Sequence, residues 1–292
     1  MAFLLTVVLW AMYLRAACNI RGDIDWLAIR SHRGEDIVSP LETVQWLEAR
    51  YPSNMALNWE AILSDQYRWA VRRPRTIVDV GAHRGVHVAH FLDMGAEHVE
   101  AFEPIPELSA HLVRQFGCDR LTVRQMALGN HSGKTSFLID LSAPGESGLR
   151  ARSDKEGVRD YRSIEVDIGT LDQFQLRDVD YIKLDTEGAE LVVLAGAEST
   201  VAAWRPLLSV EYGWAGYHSY GFEKRSLKEW ARLHRYVVCD LFGAPLASAY
   251  DFCVDRYYWD YFLVPEDTVD LMRRLAENGR AILADMDRFR CG

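Results

Sequence analysis

Residues 76–85 read T-I-V-D-V-G-A-H-R-G, a β-branched run ending in an acid and a glycine, with a second glycine four places on. Thr76, Ile77, Val78 and Val80 suit a strand buried on both faces, because strands of a helix-covered parallel sheet are continuously apolar rather than alternating. Gly81 and Gly85 permit a tight turn and close backbone approach, and residues 86–94 then carry helical periodicity. Strand, glycine turn and helix in that order constrain the chain to an open α/β sheet. They also put Asp79 at the sheet's carboxyl edge, where such sheets bind ligands, and Glu103 closes the next apolar run.

Two nucleotide-type cofactors compete for such a turn. A dinucleotide pyrophosphate is met by G-x-G-x-x-G, with glycine where the backbone touches phosphate. Here His83 takes the second glycine's place, its imidazole would crowd the phosphates, and Asp79 would face them with like charge. S-adenosylmethionine has no phosphate but offers an ammonium and a ribose diol. Asp79 then pairs with the methionine amino group, directly or through water, and Glu103 accepts both ribose hydroxyls. Glu103 alone does not discriminate, since an acid at similar spacing also reads the ribose of NAD; Asp79 and His83 favour S-adenosylmethionine. A purely structural turn is the third reading. The expected cofactor set is Asp79, Gly81, Ala82, His83, Gly85, Glu103 and Pro104, with Met126 and Ala127 near the adenine edge.

The chain has 292 residues, enough to bury a substantial core, and 33 basic against 42 acidic residues give a net charge of −9. Without a long basic run, general binding to nucleic acid or anionic membrane is disfavoured. Cys18, Cys118, Cys239, Cys253 and Cys291 match neither a zinc spacing nor a paired disulfide framework, which fits a reducing, cytoplasmic setting. Residues 2–14, opening at Ala2 and closing at Leu14, are almost wholly apolar but shorter than the roughly 20 residues of a bilayer span. A packed or membrane-grazing helix and a weak signal-anchor are the two readings of that segment, and the expectation is a mainly soluble protein.

Aromatic and aliphatic residues between 39 and 72 recur at spacings of short amphipathic helices. Strands are expected near 76–80, 98–103, 121–127, 180–185 and 206–212, with helical patterns between several of them, which argues for a mainly parallel, doubly wound sheet. Residues 133–140 and 163–168 have strand character and flank a polar segment, 142–162, read as an exposed loop or a lid. Its Arg150, Arg152, Arg159 and Arg162 either recognise an anionic acceptor group or are solvated. Beyond Tyr212 an aromatic, glycine-rich loop leads to a helix at 226–234, and the runs 236–242 and 257–264 suit a terminal antiparallel pair. The expected division is 1–72 as apolar segment and helical extension, 73–266 as the main domain, and 267–292 as a C-terminal helix.

These pieces together resemble the FkbM family of S-adenosylmethionine-dependent methyltransferases. The resemblance rests on Val78-Asp79-Val80-Gly81-Ala82-His83-Arg84-Gly85, Ala101-Phe102-Glu103-Pro104, Ala127-Leu128-Gly129, Thr170-Leu171-Asp172, the run Ile182-Lys183-Leu184-Asp185-Thr186-Glu187-Gly188-Ala189-Glu190, and Ser209-Val210-Glu211, in that order. It covers roughly residues 74–213. It implies a class I Rossmann-like methyltransferase fold and methylation of hydroxyl oxygens on sugars, glycolipids or other small metabolites. An NAD(P)-dependent oxidoreductase and a non-catalytic methyltransferase-like binding subunit are the rival functions, and an N- or S-acceptor stays open.

Asp185 ends the expected fourth strand on the same sheet edge as Asp79 and Glu103, which makes it the first candidate base; capping the next helix is its alternative role. Glu187 and Glu190 are expected in that helix's first turn, complementing its dipole, with Glu187 a second candidate for acceptor binding or proton transfer. His218 is a weaker candidate base on the loop after Tyr212, where Trp214 and Tyr217 either stack on an acceptor or anchor the loop. Glu211 has a lesser claim, against a buried ion pair, and Thr170 and Asp172 are expected to cap a short helix. His83, His87 and His90 share helical spacing without a completing carboxylate, so no metal is expected.

Overall fold

The computed structural model describes residues 39–51, 53–152, 159–246 and 257–291. The apolar segment 2–14, Cys18 and Cys253 lie outside them. In chain order the elements are α1 (Pro40–Arg50), α2 (Trp59–Ala70), β1 (Thr76–Val80), α3 (Val86–Asp93), β2 (His98–Phe102), α4 (Pro106–Phe116), β3 (Leu121–Arg124), β4 (Ala127–Leu128), β5 (Gly133–Asp140), β6 (Tyr161–Gly169), β7 (Val179–Leu184), α5 (Glu190–Ala195), α6 (Glu198–Trp204), β8 (Leu207–Glu211), α7 (Trp214–Ser219), α8 (Lys224–Leu233), β9 (Tyr236–Asp240), β10 (Asp260–Pro265) and α9 (Val269–Ala284).

Seven strands form one sheet in the order β3-β2-β1-β7-β8-β10-β9. The first five are mutually parallel, and β10 runs antiparallel to both neighbours. The chain winds outward from β1 through β2 to β3, then restarts at β7 on the other side of β1. Strand order therefore reverses between β1 and β7, and a crevice opens at their carboxyl ends. The two C-terminal apolar runs do pair, but the later one inserts between β8 and the earlier one. The expected third strand is two elements: β3 stops at Arg124, and Ala127 begins β4, which leaves the main sheet to pair with β6.

That second sheet, β4-β6-β5, is a long hairpin in continuous register from Gly133↔Ile168 to Asp140↔Tyr161, with one short strand added. It packs through its own apolar cluster, which includes Ile105, Ala127, Phe137, Ile139, Val166 and Ile168.

The helices before and after the sheet share its principal core. Ser39 opens α1 with a capping box to Glu42, and Asn58 caps α2 by accepting from Ala61 N–H at 3.0 Å. Tyr67 of α2 packs its ring against Phe91 of α3 and Tyr181 of β7. The buried Gln66 amide donates to the carbonyls of Leu241 (2.8 Å) and Leu275 (3.3 Å), and Asn278 of α9 donates to Gln66 Oε1 at 3.1 Å. These bonds satisfy polar groups that would otherwise be costly to bury, and they join α2 to α9. Among the described residues, no helix is long and apolar enough to cross a membrane.

Candidate active site

A cavity of about 300 Å³ lies at the carboxyl ends of β1, β2, β7 and β8. Gly81 turns the chain out of β1 at φ +84°, and a Cβ there would lie 1.9 Å from the Asp185 carbonyl oxygen, so glycine lets the two strand ends touch. The Asp185 N–H donates to Val80 O at 3.1 Å and locks the same junction. His83 follows in a left-handed conformation, φ +47°, which histidine tolerates better than most residues. That twist turns its N–H onto Glu103 Oε2 at 2.8 Å, while Glu103 Oε1 accepts from Ile105 N–H at 2.8 Å. Each oxygen keeps a lone pair for a further donor. Burial raises the Glu103 pKa to about 7 against the pull of those two N–H groups.

Gly81, Ala82, His83, Glu103, Pro104, Met126 and Ala127 all line the cavity. Asp79 and Gly85 do not. Asp79 is fully buried beneath it, in register with Lys183 across β1 and β7, and neither carboxylate oxygen has a hydrogen-bond partner among the described residues. Burial pushes its pKa up to about 6, with Lys183 opposing and Asp185 adding to the rise. Gly85 begins α3 against Phe116 and Leu112.

At the other end of the cavity stand Asp185 and Glu187, joined by Lys183, Glu211, Glu60 and His87. Asp185, Glu187 and Glu211 each place a carboxylate oxygen within 4.8 Å of the others. Oxygens so grouped suit a hard divalent cation, but here protein cations already donate into the group. Lys183 Nζ reaches Asp185 Oδ2 at 2.9 Å, and Arg152 bonds Glu187. Burial favours the charged form of neither Lys183 nor Asp185. Even so, their pairing holds the lysine well above its ordinary pKa and the aspartate below the usual carboxylate range. Asp185 therefore does not cap the helix. Glu190 instead ties the turn that precedes α5: its Oε1 accepts from the N–H groups of Thr186 and Gly188 at 2.9 and 3.0 Å and from the Thr186 hydroxyl.

Glu187 precedes α5 rather than lying in its first turn, and it sits at φ +58°. Burial and the Asp185 charge raise its pKa to about 8, with Arg152 opposing. The next residue, Gly188 (φ +107°), meets Gly216 of α7 backbone to backbone; a Cβ on Gly188 would lie 2.3 Å from the Gly216 carbonyl. The expected loop after Tyr212 is thus helix α7, docked on the Asp185–Glu190 turn. Tyr217 anchors it, buried and stacked on Tyr212 at 4.5 Å, while Trp214 stays exposed. His218 lies exposed against Trp214, outside the cavity lining.

The polar segment is less exposed than expected. Pro144, Gly145, Ser147 and Leu149 line the cavity, and Gly148 bridges back to Leu138. Three of its arginines are engaged by the protein, whereas Arg162 lies exposed on β6. Arg152 bonds Glu187 and approaches Glu146 at 3.5 Å, Arg159 reaches Asp140 (2.8 Å) and Glu146 (2.6 Å), and Arg150 donates to Ser219 O and lies over Tyr220. Although burial would raise the pKa of Asp140, the Ser142 hydroxyl, Arg159 and nearby N–H groups hold it well below the carboxylate range. Thr170 makes no side-chain cap; Asp172 caps α6 instead, accepting from Ser199 and Thr200 N–H at 2.8 Å each. The Nδ1 atoms of His87 and His90 are taken by the hydroxyls of Tyr67 (3.0 Å) and Ser64 (2.7 Å), and burial drives the His87 pKa down to about 2.

Lys183, Glu60, His87 and the cavity-facing part of the hairpin tip are the site residues that sequence reasoning missed. Lys183 was within reach, since a strand period of two puts it on one face with Asp185. Glu60 and the hairpin tip are brought in by tertiary packing alone.

A seven-stranded sheet with one reversed strand, and a glycine turn beside an acid-ended second strand at the switch point, define a class I methyltransferase fold. The chain belongs to the FkbM methyltransferase family: residues 79–237 match the family described as "Methyltransferase FkbM domain". No curated protein matches the chain. Among solved structures it is similar to methyltransferase FkbM from Methylobacillus flagellatus KT, at 16% identity and a TM-score of 0.40 over 76% of this chain and 58% of that one. The chain thus spans less than two thirds of that protein. A putative RNA methyltransferase from Pyrococcus horikoshii is similar at 16% identity and a TM-score of 0.37, over 62% of this chain and 69% of that one. The Burkholderia thailandensis 1,6-didemethyltoxoflavin-N1-methyltransferase, solved with 1,6-didemethyltoxoflavin and S-adenosylhomocysteine, is similar at 15% identity and a TM-score of 0.30, over 87% of this chain and 86% of that one.

Proposed function

We propose that the chain is an S-adenosylmethionine-dependent O-methyltransferase acting on a hydroxyl of a sugar, glycolipid or other small metabolite. The observation that carries the reading is that one cavity holds Glu103 at one end and the Asp185 group at the other, with the Gly81 turn between them. In this reading residues 73–266 form the methyltransferase unit, flanked by 1–72 and 267–292.

The residues present fit the cofactor. Glu103 has lone pairs for a ribose diol, Met126 and Ala127 offer an apolar edge to adenine, and Asp79, buried behind the lining, adds a carboxyl near the Gly81 turn that acts on an ammonium only at a distance. A pyrophosphate is poorly served, because the His83 N–H that would meet it is spent on Glu103. When bound, S-adenosylmethionine supplies an electrophilic methyl on a sulfonium. Positioning of the acceptor accounts for most of the acceleration, since well-oriented groups gain roughly 7–11 kcal/mol, whereas a general base adds ~10²–10⁴-fold. Asp185, held ionised by Lys183, suits a hydroxyl acceptor by accepting its hydrogen bond and taking its proton, and the acidic lining disfavours anionic acceptors.

Calorimetric titration with S-adenosylhomocysteine and, in parallel, NADH tests the reading. Micromolar binding of S-adenosylhomocysteine alone is the expected result. Binding of NADH alone, or of neither, overturns it, and cofactor binding without methyl transfer to any glycan or small-molecule acceptor points to the binding-subunit alternative.

A further inference from the structure

We propose that Glu211 is the proton-carrying member of a carboxyl pair with Asp185, a positioning residue that keeps Asp185 ionised and aimed at the acceptor. The proposal rests on the methyltransferase reading above. Three carboxyl groups meet within 4.8 Å, and two cations enter the group: Lys183 on Asp185 and Arg152 on Glu187. Among the described residues no lysine, arginine or histidine forms an ion pair with Glu211. Its register partner on β10 is another acid, Asp260, and Glu60 of α2 adds a fifth carboxyl at the cavity. The remaining facing group, His87 of α3, is held neutral. Like charges this close do not all ionise. The proton settles on a carboxyl without a cation, and Glu211, beside the ionised Asp185, donates to it.

The acid–base directions point the same way for Glu211, although Glu187 is also raised, to about 8, despite Arg152. The Asp185 charge is the foremost cause raising the Glu211 pKa well above its ordinary value, ahead of burial, Glu187 and Asp260, while Asp185 is held low. Asp260 is itself pushed up to about 7 by burial and Asp185. In the reaction the acceptor O–H bond breaks as its O–CH₃ bond forms, the methyl's bond to the sulfonium breaking to leave S-adenosylhomocysteine. The proton passes to the Asp185 carboxylate and then to solvent, and the proton on Glu211 is conserved.

The test follows the Asp185 side-chain carbon by ¹³C NMR through a pH titration of the full chain, its signal assigned by its loss in Asp185→Asn. An inflection above neutral pH is expected in the unmodified protein, reporting Glu211. It should vanish in Glu211→Gln and persist in Glu187→Gln. No inflection in the unmodified protein, or one that survives Glu211→Gln, overturns the proposal, as does an inflection that appears only when Mg²⁺ is added. With any acceptor that supports turnover, Glu211→Ala should cost about 10²-fold, the usual penalty of a misplaced group, and Glu211→Gln should recover most of it without the alkaline fall of the pH profile. A glutamine variant as impaired as the alanine one counts against the proposal. S-adenosylhomocysteine affinity, read in parallel on the unmodified protein, separates failure of this pairing from failure of the cofactor reading.

Discussion

The two ends of the cavity are built by different rules. The Glu103 end comes from one stretch of chain, residues 80–128, in which each strand delivers its site residue at its own carboxyl end. The Asp185 end gathers Glu60 from α2, His87 from α3, Lys183, Asp185 and Glu187 from β7 and its turn, Glu211 from β8, and the hairpin tip. One end is largely backbone and apolar edge around a single carboxylate. The other is a crowded set of acids balanced by two cations. On the proposed function, a common cofactor asks the same geometry of every family member, whereas an acceptor asks for a local solution, and the divided construction would answer both.

Substitutions at either end break or sharpen this contrast. The largest effect is expected from Asp185→Asn, which should cut turnover by ~10²–10⁴-fold and leave S-adenosylhomocysteine affinity nearly intact. An equal loss in both would make the two ends one unit. Next comes Asp79→Asn. The folded pKa of about 6 exceeds the ordinary 3.8, so the stability Asp79 contributes is complete below about pH 4 and is lost as pH rises through 6. Relative to the unmodified protein the variant should therefore gain about 3 kcal/mol between pH 4 and 8 while binding the cofactor more weakly. Calorimetric unfolding across that range checks it, and a pH-independent difference would rule out a buried, raised carboxyl.

Glu103→Ala should weaken S-adenosylhomocysteine by roughly ten- to a hundredfold, the worth of about 1.5–3 kcal/mol of charged hydrogen bonds. An unchanged dissociation constant would remove Glu103 from the ribose site. The smallest effect belongs to Arg152→Ala. Loss of its bonds to Glu187 and Glu146 should speed amide exchange in residues 141–149 about fivefold, near 1 kcal/mol, without touching the Glu103 end.

Much of this architecture was legible in the sequence. Residues 76–80 announce a buried strand because their pattern is local and unbroken, and Gly81, His83 and Glu103 follow from it at short range. The long hairpin was visible as two strands, but nothing local says that Ala127 leaves the main sheet to join it. Helix α7 was hidden because Gly213 and Gly216 resemble loop residues, and Gly216 is glycine for a tertiary reason, its approach to Gly188. The arginines of residues 142–162 look solvated by composition, yet Arg152 and Arg159 are drawn in by acids far away or across the hairpin. What escaped was consistently what only the assembled fold brings together.

The contact between Gly188 and Gly216 also bears on how such a protein diversifies. It welds the inner side of α7 to the acid-bearing turn through main chain alone, so no side chain on that seam is available to vary. Trp214 and His218, on the outer side, carry none of that constraint. Libraries that randomise these two positions while sparing both glycines should leave the fold intact, since neither side chain lines the cavity or enters that seam.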